Sequence, residues 1–224
     1  MLVSRLLELD EGVYTFFGVP GSGKTTFAAA IAKECFKRNI PVYSNVPILG
    51  TYIVSREEIG RYNLPLQEAK FAVLLLDEAG VDYNNRNFKN NFTQETLDWW
   101  KRHRHYHSMI YTFSQGYTDC DSKIRDLCKG YYLIEKKGSF IRCMPIYRKT
   151  GVNEEKKEMQ DLFFYDETKL ERFINSTYIY SKKYWDMFDS WDAPKLPDLP
   201  LRKYVSKKAY EDLKVSIVEN ENVS

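Results

Sequence analysis

Apolar positions along this chain come in short blocks separated by polar and amphipathic stretches. GVYTFF, from Gly12 to Phe17, is short, β-branched and aromatic, which predicts a buried strand. The stretch KTTFAAAIAKECFK, from Lys24 to Lys37, places Phe27, Ile31 and Cys35 on one stripe at helical spacing, with Asn39 where a helix would stop. PVYSNV, from Pro41 to Val46, predicts a second strand. Residues 47–70 read as loop with short helix, and SREEIGRY as a capped helical turn. FAVLLL, from Phe71 to Leu76, is a continuous apolar run ending in Asp77 and Glu78, the pattern of a central parallel strand buried on both faces.

The alternation continues beyond it. Residues 81–92 are rich in asparagine and read as loop. A helix is expected from Thr93, its N-cap, to about Tyr106, with Glu95 in the first turn. Met109 to Phe113 predicts a buried strand, Ser122 to Lys129 a helix, Tyr131 to Ile134 a strand, and SFIRCMPIYR one more strand. Strands alternating with helices imply an α/β fold with a mostly parallel central sheet. After Asp192 the texture changes: APKLPDLPL holds three prolines in nine residues and reads as an extended linker. A short helix near Lys207 to Lys214 and a polar end follow. The expected division is one domain over 1–191 and a short C-terminal extension over 192–224. There is no internal repeat.

Composition changes the picture little. Hydrophobic residues make up 43% and charged residues 29% of 224, with a formal net charge of +2, so nucleic-acid binding would need a local basic patch. The 17 tyrosines and 4 tryptophans suit base stacking and core packing equally. Cys35, Cys120, Cys128 and Cys143 show no paired CxxC spacing, which speaks for scattered reduced thiols and against a zinc site. MLVSRLLELDEG is too short and too charged for a signal peptide, and the six-residue run FAVLLL falls far below the roughly 20 residues needed to span a bilayer.

The chemistry starts at GVPGSGKTT, Gly18 to Thr26, which matches G-x-x-x-x-G-K-[ST] between an expected strand and an expected helix. Gly18, Gly21 and Gly23 let the backbone fold around phosphate oxygens without β-carbon clashes. The exposed amides and the helix N-terminus would supply positive potential, and Gly18, Pro20, Gly21, Ser22, Gly23, Lys24, Thr25 and Thr26 form the candidate nucleotide-binding set. Lys24 would neutralise β and γ phosphates, and Thr25 would ligate Mg²⁺. Asp77, at a strand end, would hold the metal through water, and Glu78 could orient or deprotonate a nucleophilic water. This doublet leans towards hydrolysis, and the absence of an N-K-x-D sequence makes ATP the default nucleotide.

DWWKRHRHYHSMIYTFSQ, Asp98 to Gln115, carries all 3 histidines of the chain. His103, His105 and His107 are spaced two apart, which fans them around a helix axis and does not converge them on a metal. If the MIYTF strand lies beside the phosphate-loop strand, Gln115 emerges near the γ-phosphate and can sense it. Arg102 and Arg104 then leave from the other end of that strand. Three readings stand for them: a guanidinium supplied in trans to a neighbouring subunit, a DNA-phosphate contact, or a solvated helix end.

GVPGSGKTT, PVYSNV, LLLDEAG and KRHRHYHSMIYTFSQ followed by DSKIRDLC, with YSKKYWDMFDSW more weakly, resemble the zonula occludens toxin-like family. That family includes filamentous-phage assembly ATPases within the FtsK/HerA group of P-loop proteins. The resemblance spans about residues 10–191. It implies a RecA/ASCE-like three-layer sandwich with the first strand between the fifth and fourth. It also implies ring-forming subunits, a hexamer among the candidates, and a cytoplasmic ATPase driving phage DNA extrusion, virion assembly or packaging. By position it makes Glu78 the catalytic base, Gln115 the sensor, and Arg102 or Arg104 the finger. Filamentous-phage members continue into a transmembrane helix and an outer domain. Neither is read in this sequence, which leaves three expectations: the sequence is a piece of a longer protein, a separate protein supplies the anchor at the inner membrane, or the role is packaging without a membrane channel. The C-terminal tail is the candidate segment for meeting coat or membrane proteins. The competing expectations are a P-loop kinase of a nucleoside or small molecule, for which residues 81–92 make a poor lid, and a non-catalytic ATP-binding assembly protein.

Overall fold

A computed structural model describes residues 3–55, 57–59, 61, 71–78, 94–117, 122–153, 158–166 and 168–189. They belong to one compact unit, Met1–Ser190. The expected linker, the tail, the Thr93 cap, the 81–92 loop and Cys120 lie outside the described residues.

The described residues of the unit are built on a single sheet. Strands β1 (Val13–Phe17), β2 (Val42–Ser44), β3 (Tyr52–Ile53), β4 (Ala72–Leu76), β5 (Ser108–Ser114), β6 (Cys128–Lys137), β7 (Phe140–Asn153) and β8 (Glu158–Phe164) are laid out in the order β3-β2-β4-β5-β1-β6-β7-β8, and β9 (Thr177–Tyr180) also pairs with β7. From β3 to β6 every pairing is parallel. The turn at Gly138, φ 61, then reverses the chain, and β7, β8 and β9 add antiparallel pairings. β1 therefore sits between the fourth and fifth of the strands read from sequence, as the resemblance implied.

The apolar runs explain the layering. In a strand, neighbouring side chains point to opposite faces, so a run that is apolar throughout must be covered twice. Tyr14, Phe16, Val73, Leu75, Met109, Tyr111 and Phe113 face helix α1 (Lys24–Lys37) through Phe27, Ala28, Ile31 and Cys35. Val13, Ala72, Leu74, Leu76 and Ile110 face the other way, against Leu97, Trp99 and Trp100 of α2 (Gln94–Arg102) and Ile124 of α3 (Ser122–Leu127). Phe16 is fully buried and stacks between Phe113 and Tyr132, with ring centroids 5.0 and 4.9 Å away. Buried polar groups in the sheet pair with each other: the Thr15 hydroxyl lies 2.8 Å from that of Thr112 and 2.9 Å from Cys128 Sγ.

Several expectations change in detail. The helix expected to Tyr106 is α-helical only to Arg102 and continues as a 3-10 turn over His103–Tyr106. SREEIGRY keeps one half of a capping box, with the Ser55 amide donating to Glu58 at 2.7 Å, but its described residues form turns and a bridge, not a helix. The preceding Tyr52–Ile53, expected as loop, is edge strand β3. β8, helix α4 (Lys169–Asn175) and β9 were not expected. Thr168 caps α4 in a full capping box with Glu171.

Candidate active site

In a parallel sheet the C-terminal ends of all strands meet at one edge, and here the chemistry-bearing residues gather there. β1 ends at Phe17, in register with Ser114 of β5, and the Gly18 amide donates to the Ser114 carbonyl at 3.1 Å. That bond commits the Gly18 N–H to the sheet, so of the loop amides expected to meet phosphate this one is already engaged. The loop then turns back into α1, with Ser22 N–H bonded to the Val19 carbonyl at 3.0 Å. Pro20 and Gly21 are exposed within this turn. Gly21 sits at φ 76, a left-handed conformation, and a β-carbon added there would meet nothing within 4 Å. Its requirement for glycine is therefore conformational and not one of close packing. Gly23 caps the helix at φ 95, again left-handed. Here a β-carbon would also stand 2.4 Å from Ile141 Cδ1, so the loop rests directly on β7.

Lys24, Thr25 and Thr26 open α1, with Thr26 buried. The Lys24 ammonium folds back onto the loop, donating to the Gly18 carbonyl at 2.9 Å and the Val19 carbonyl at 3.4 Å. Burial lowers the Lys24 pKa, and the nearby Asp77 and Glu78 charges work against that lowering. Ser22 is buried and its hydroxyl has no partner among the described residues, so a polar group in the loop stands ready for a ligand oxygen.

Asp77 follows β4, two strands from β1, and its backbone is fully bonded. Its amide donates to Asn45 Oδ1 and its carbonyl accepts from Asn45 Nδ2, both at 2.8 Å. Its carboxylate accepts from the Thr25 hydroxyl at 2.5 Å through Oδ2 and from the Glu78 amide at 2.9 Å through Oδ1. The hydroxyl and carboxylate that the sequence assigned to Mg²⁺ thus touch across the sheet edge. They are hard oxygen donors of the kind Mg²⁺ takes. Glu78 is exposed and sits at φ 50, a left-handed backbone conformation for a residue with a β-carbon.

Gln115 leaves β5 one residue beyond the Phe17–Ser114 register pair and is exposed at the same edge as the phosphate loop. Arg102 and Arg104 are exposed at the opposite edge, before the first residue of β5. Seven strand residues at roughly 3.3 Å each separate the two edges by about 20 Å. Neither arginine reaches the loop of its own chain. The histidines diverge as well. His103 is buried with Nδ1 2.6 Å from the Trp100 carbonyl, His105 is exposed, and His107, at φ 48, lies 3.5 Å from Glu11. Asn45, in PVYSNV, is a further polar residue at the phosphate-loop edge that the sequence pattern does not single out.

The fold resembles that of a solved structure. The N-terminal domain of zonular occludens toxin from Neisseria meningitidis matches 81% of this chain and all of that chain, with a TM-score of 0.52 at 19% identity. The Gene 1 protein of Salmonella phage IKe is 30% identical over 108 residues, covering 39% of this chain and 30% of that protein. The Gene 1 protein of Enterobacteria phage I2-2 is 29% identical with the same coverage. The match therefore spans less than a third of the length of these curated relatives. The fold is that of a P-loop NTPase. The family model for zonular occludens toxin (Zot) matches residues 53–179, more than half of the chain and a span that takes in Asp77, Glu78, Arg102, Arg104 and Gln115, so the chain belongs to the Zot family.

Proposed function

We propose that this chain is a Mg²⁺-dependent ATP hydrolase that powers phage DNA extrusion, virion assembly or genome packaging. The observation that carries the reading is the Thr25–Asp77 contact at the mouth of the phosphate loop, with Glu78 next in the chain. The amides of Gly21 and Gly23 and the Ser22 hydroxyl would receive phosphate oxygens. Lys24 already presents its ammonium to two loop carbonyls and would exchange them for β- and γ-phosphate oxygens. Thr25 directly, and Asp77 through water, would hold Mg²⁺, which when bound neutralises charge on those oxygens. Glu78 would orient the attacking water and take its proton, and Gln115 would sense the γ-phosphate.

Because Arg102 and Arg104 lie at the far edge, their reading as fingers requires a neighbouring subunit, which favours a ring. The similarity to two phage proteins supports a role in phage assembly. No helix among the described residues is long and apolar enough to cross a membrane. Work in the host cytoplasm, peripheral at the inner membrane through a partner, fits that, with the tail from 192 onward as the segment that would recruit coat or membrane proteins.

Phosphate release should require Mg²⁺ and rise with added DNA of any sequence, and the DNA effect should weaken steeply with salt. Arg102→Ala or Arg104→Ala protein mixed with Glu78→Gln protein should recover activity that neither has alone. No recovery counts against action of the arginines across subunits, and phosphate delivered to a small acceptor in place of water turns the reading into that of a kinase.

A further inference from the structure

We propose that Asn45 is a positioning residue of this active site: its side-chain amide fixes the main chain of Asp77 and thereby sets both the carboxylate that meets Thr25 and the left-handed turn at Glu78. The inference rests on the hydrolase reading above and deepens it.

β2 and β4 pair in parallel from Val42↔Val73 to Ser44↔Leu75, and the Asn45 amide adds one more bond to the Leu75 carbonyl at 3.3 Å. There β2 ends, and the Val46 amide turns back onto the Ser44 hydroxyl at 3.2 Å. With the main chain departing, the Asn45 side chain takes over the ladder. An amide carries the same donor and acceptor as a peptide unit, and both are used on one residue: Oδ1 accepts from the Asp77 N–H and Nδ2 donates to the Asp77 C=O, each at 2.8 Å. The chain beyond Leu76 is thereby fixed for one more residue, at Asp77.

That extra residue is where the site is made. Asp77 is 5% exposed, and its two carboxylate oxygens are occupied by the Thr25 hydroxyl and the Glu78 amide. The Glu78 amide donates back to Asp77 Oδ1, and the chain then turns at Glu78 itself, φ 50. Without Asn45 the buried N–H and C=O of Asp77 would lose their partners, and the carboxylate and the following turn would lose their anchor. Carboxylates and ligands held by such outer hydrogen bonds depend on them for metal affinity and rate.

The test uses the full chain with Asn45→Ala, which removes both bonds, and Asn45→Asp, which is isosteric and keeps an acceptor. In the nucleotide-free protein, hydrogen exchange at the Asp77 amide should speed up at least about tenfold in Asn45→Ala and less in Asn45→Asp, while the Leu74 amide inside β4 stays as in wild type. Affinity for a fluorescent ATP analogue should be unchanged without Mg²⁺, and the gain on adding Mg²⁺ should shrink. Turnover should fall about tenfold to a hundredfold, with little further loss when Asn45→Ala is added to Glu78→Gln. Wild-type Asp77 exchange together with a wild-type Mg²⁺ gain overturns the inference, as does an equal loss of affinity with and without Mg²⁺. A wild-type protein that binds ATP and releases no phosphate refutes the hydrolase reading instead, and the exchange and Mg²⁺ arms then decide the role of Asn45 by themselves.

Discussion

Glu78 adopts φ 50 two residues past the end of β4, and a residue with a β-carbon resists that conformation by about 1–2 kcal/mol. Replacing it by alanine keeps the β-carbon and the resistance. Replacing it by glycine removes the resistance but adds freedom to the unfolded chain, which costs about 0.4–1 kcal/mol. The backbone bond from residue 78 to Asp77 Oδ1, 2.9 Å, survives in both variants because it uses the amide. The glycine variant should therefore be more stable than the alanine variant by about 0.5–1 kcal/mol, or about 1–4 °C in Tm. Both lack the carboxylate, so both should lose turnover, and the stability difference reports the backbone alone. Reversible urea and thermal denaturation of nucleotide-free protein, followed by circular dichroism, measure it. A glycine variant equal to or less stable than the alanine variant would refute the claim that the candidate base is held on a strained backbone.

Other consequences follow from particular contacts. Gly23→Ala meets both the φ of 95 and Ile141 Cδ1 at 2.4 Å, so it should lose nucleotide binding and about 2 kcal/mol or more of stability; ATP affinity equal to wild type in a filter-binding assay would contradict this. Phe16→Ala empties the ring position between Phe113 and Tyr132 and should cost about 3–5 kcal/mol in urea denaturation. His103 is held below its ordinary value of 6.5, chiefly by burial, so the folded protein binds fewer protons than the unfolded chain. Its contribution is whole above about pH 6.5 and is lost as pH falls towards the lowered folded value; a His103→Gln series of Tm against pH should show a flatter acid side than wild type.

How much of this was legible in the sequence depends on how local the cause is. The phosphate loop was readable because its glycines, lysine and threonines are contiguous and their geometry is set by neighbours in the chain. What the motif could not distinguish is why each glycine is there: Gly21 for its left-handed backbone in open space, Gly23 for that and for the approach of Ile141 from a strand more than a hundred residues away. FAVLLL was readable because burial on both faces leaves no polar position in the run. β3 was not readable: Tyr52 and Ile53 are 49% and 61% exposed at a sheet edge, where neither face nor neighbour imposes a pattern. β9 alternates buried Thr177 and Ile179 with exposed Tyr178 and Tyr180, but four residues are too few to stand out. Asn45 was invisible for another reason. Its role depends on β2 lying beside β4, a pairing between residues about 30 positions apart. The placement of Gln115 and the two arginines at opposite edges was conditional on β5 pairing with β1, and the structure supplies that pairing.

The claim at the centre of this account is that Thr25, Asp77 and Glu78 form one hydrolytic site on ATP. Single-turnover phosphate release at saturating ATP and Mg²⁺, run in parallel with filter retention of ATP, tests it most directly in wild type and Glu78→Gln. Retained ATP with phosphate release slowed by about a hundredfold or more in Glu78→Gln is the predicted result. Release at the wild-type rate from Glu78→Gln, or a wild-type protein that retains no ATP at all, would contradict it.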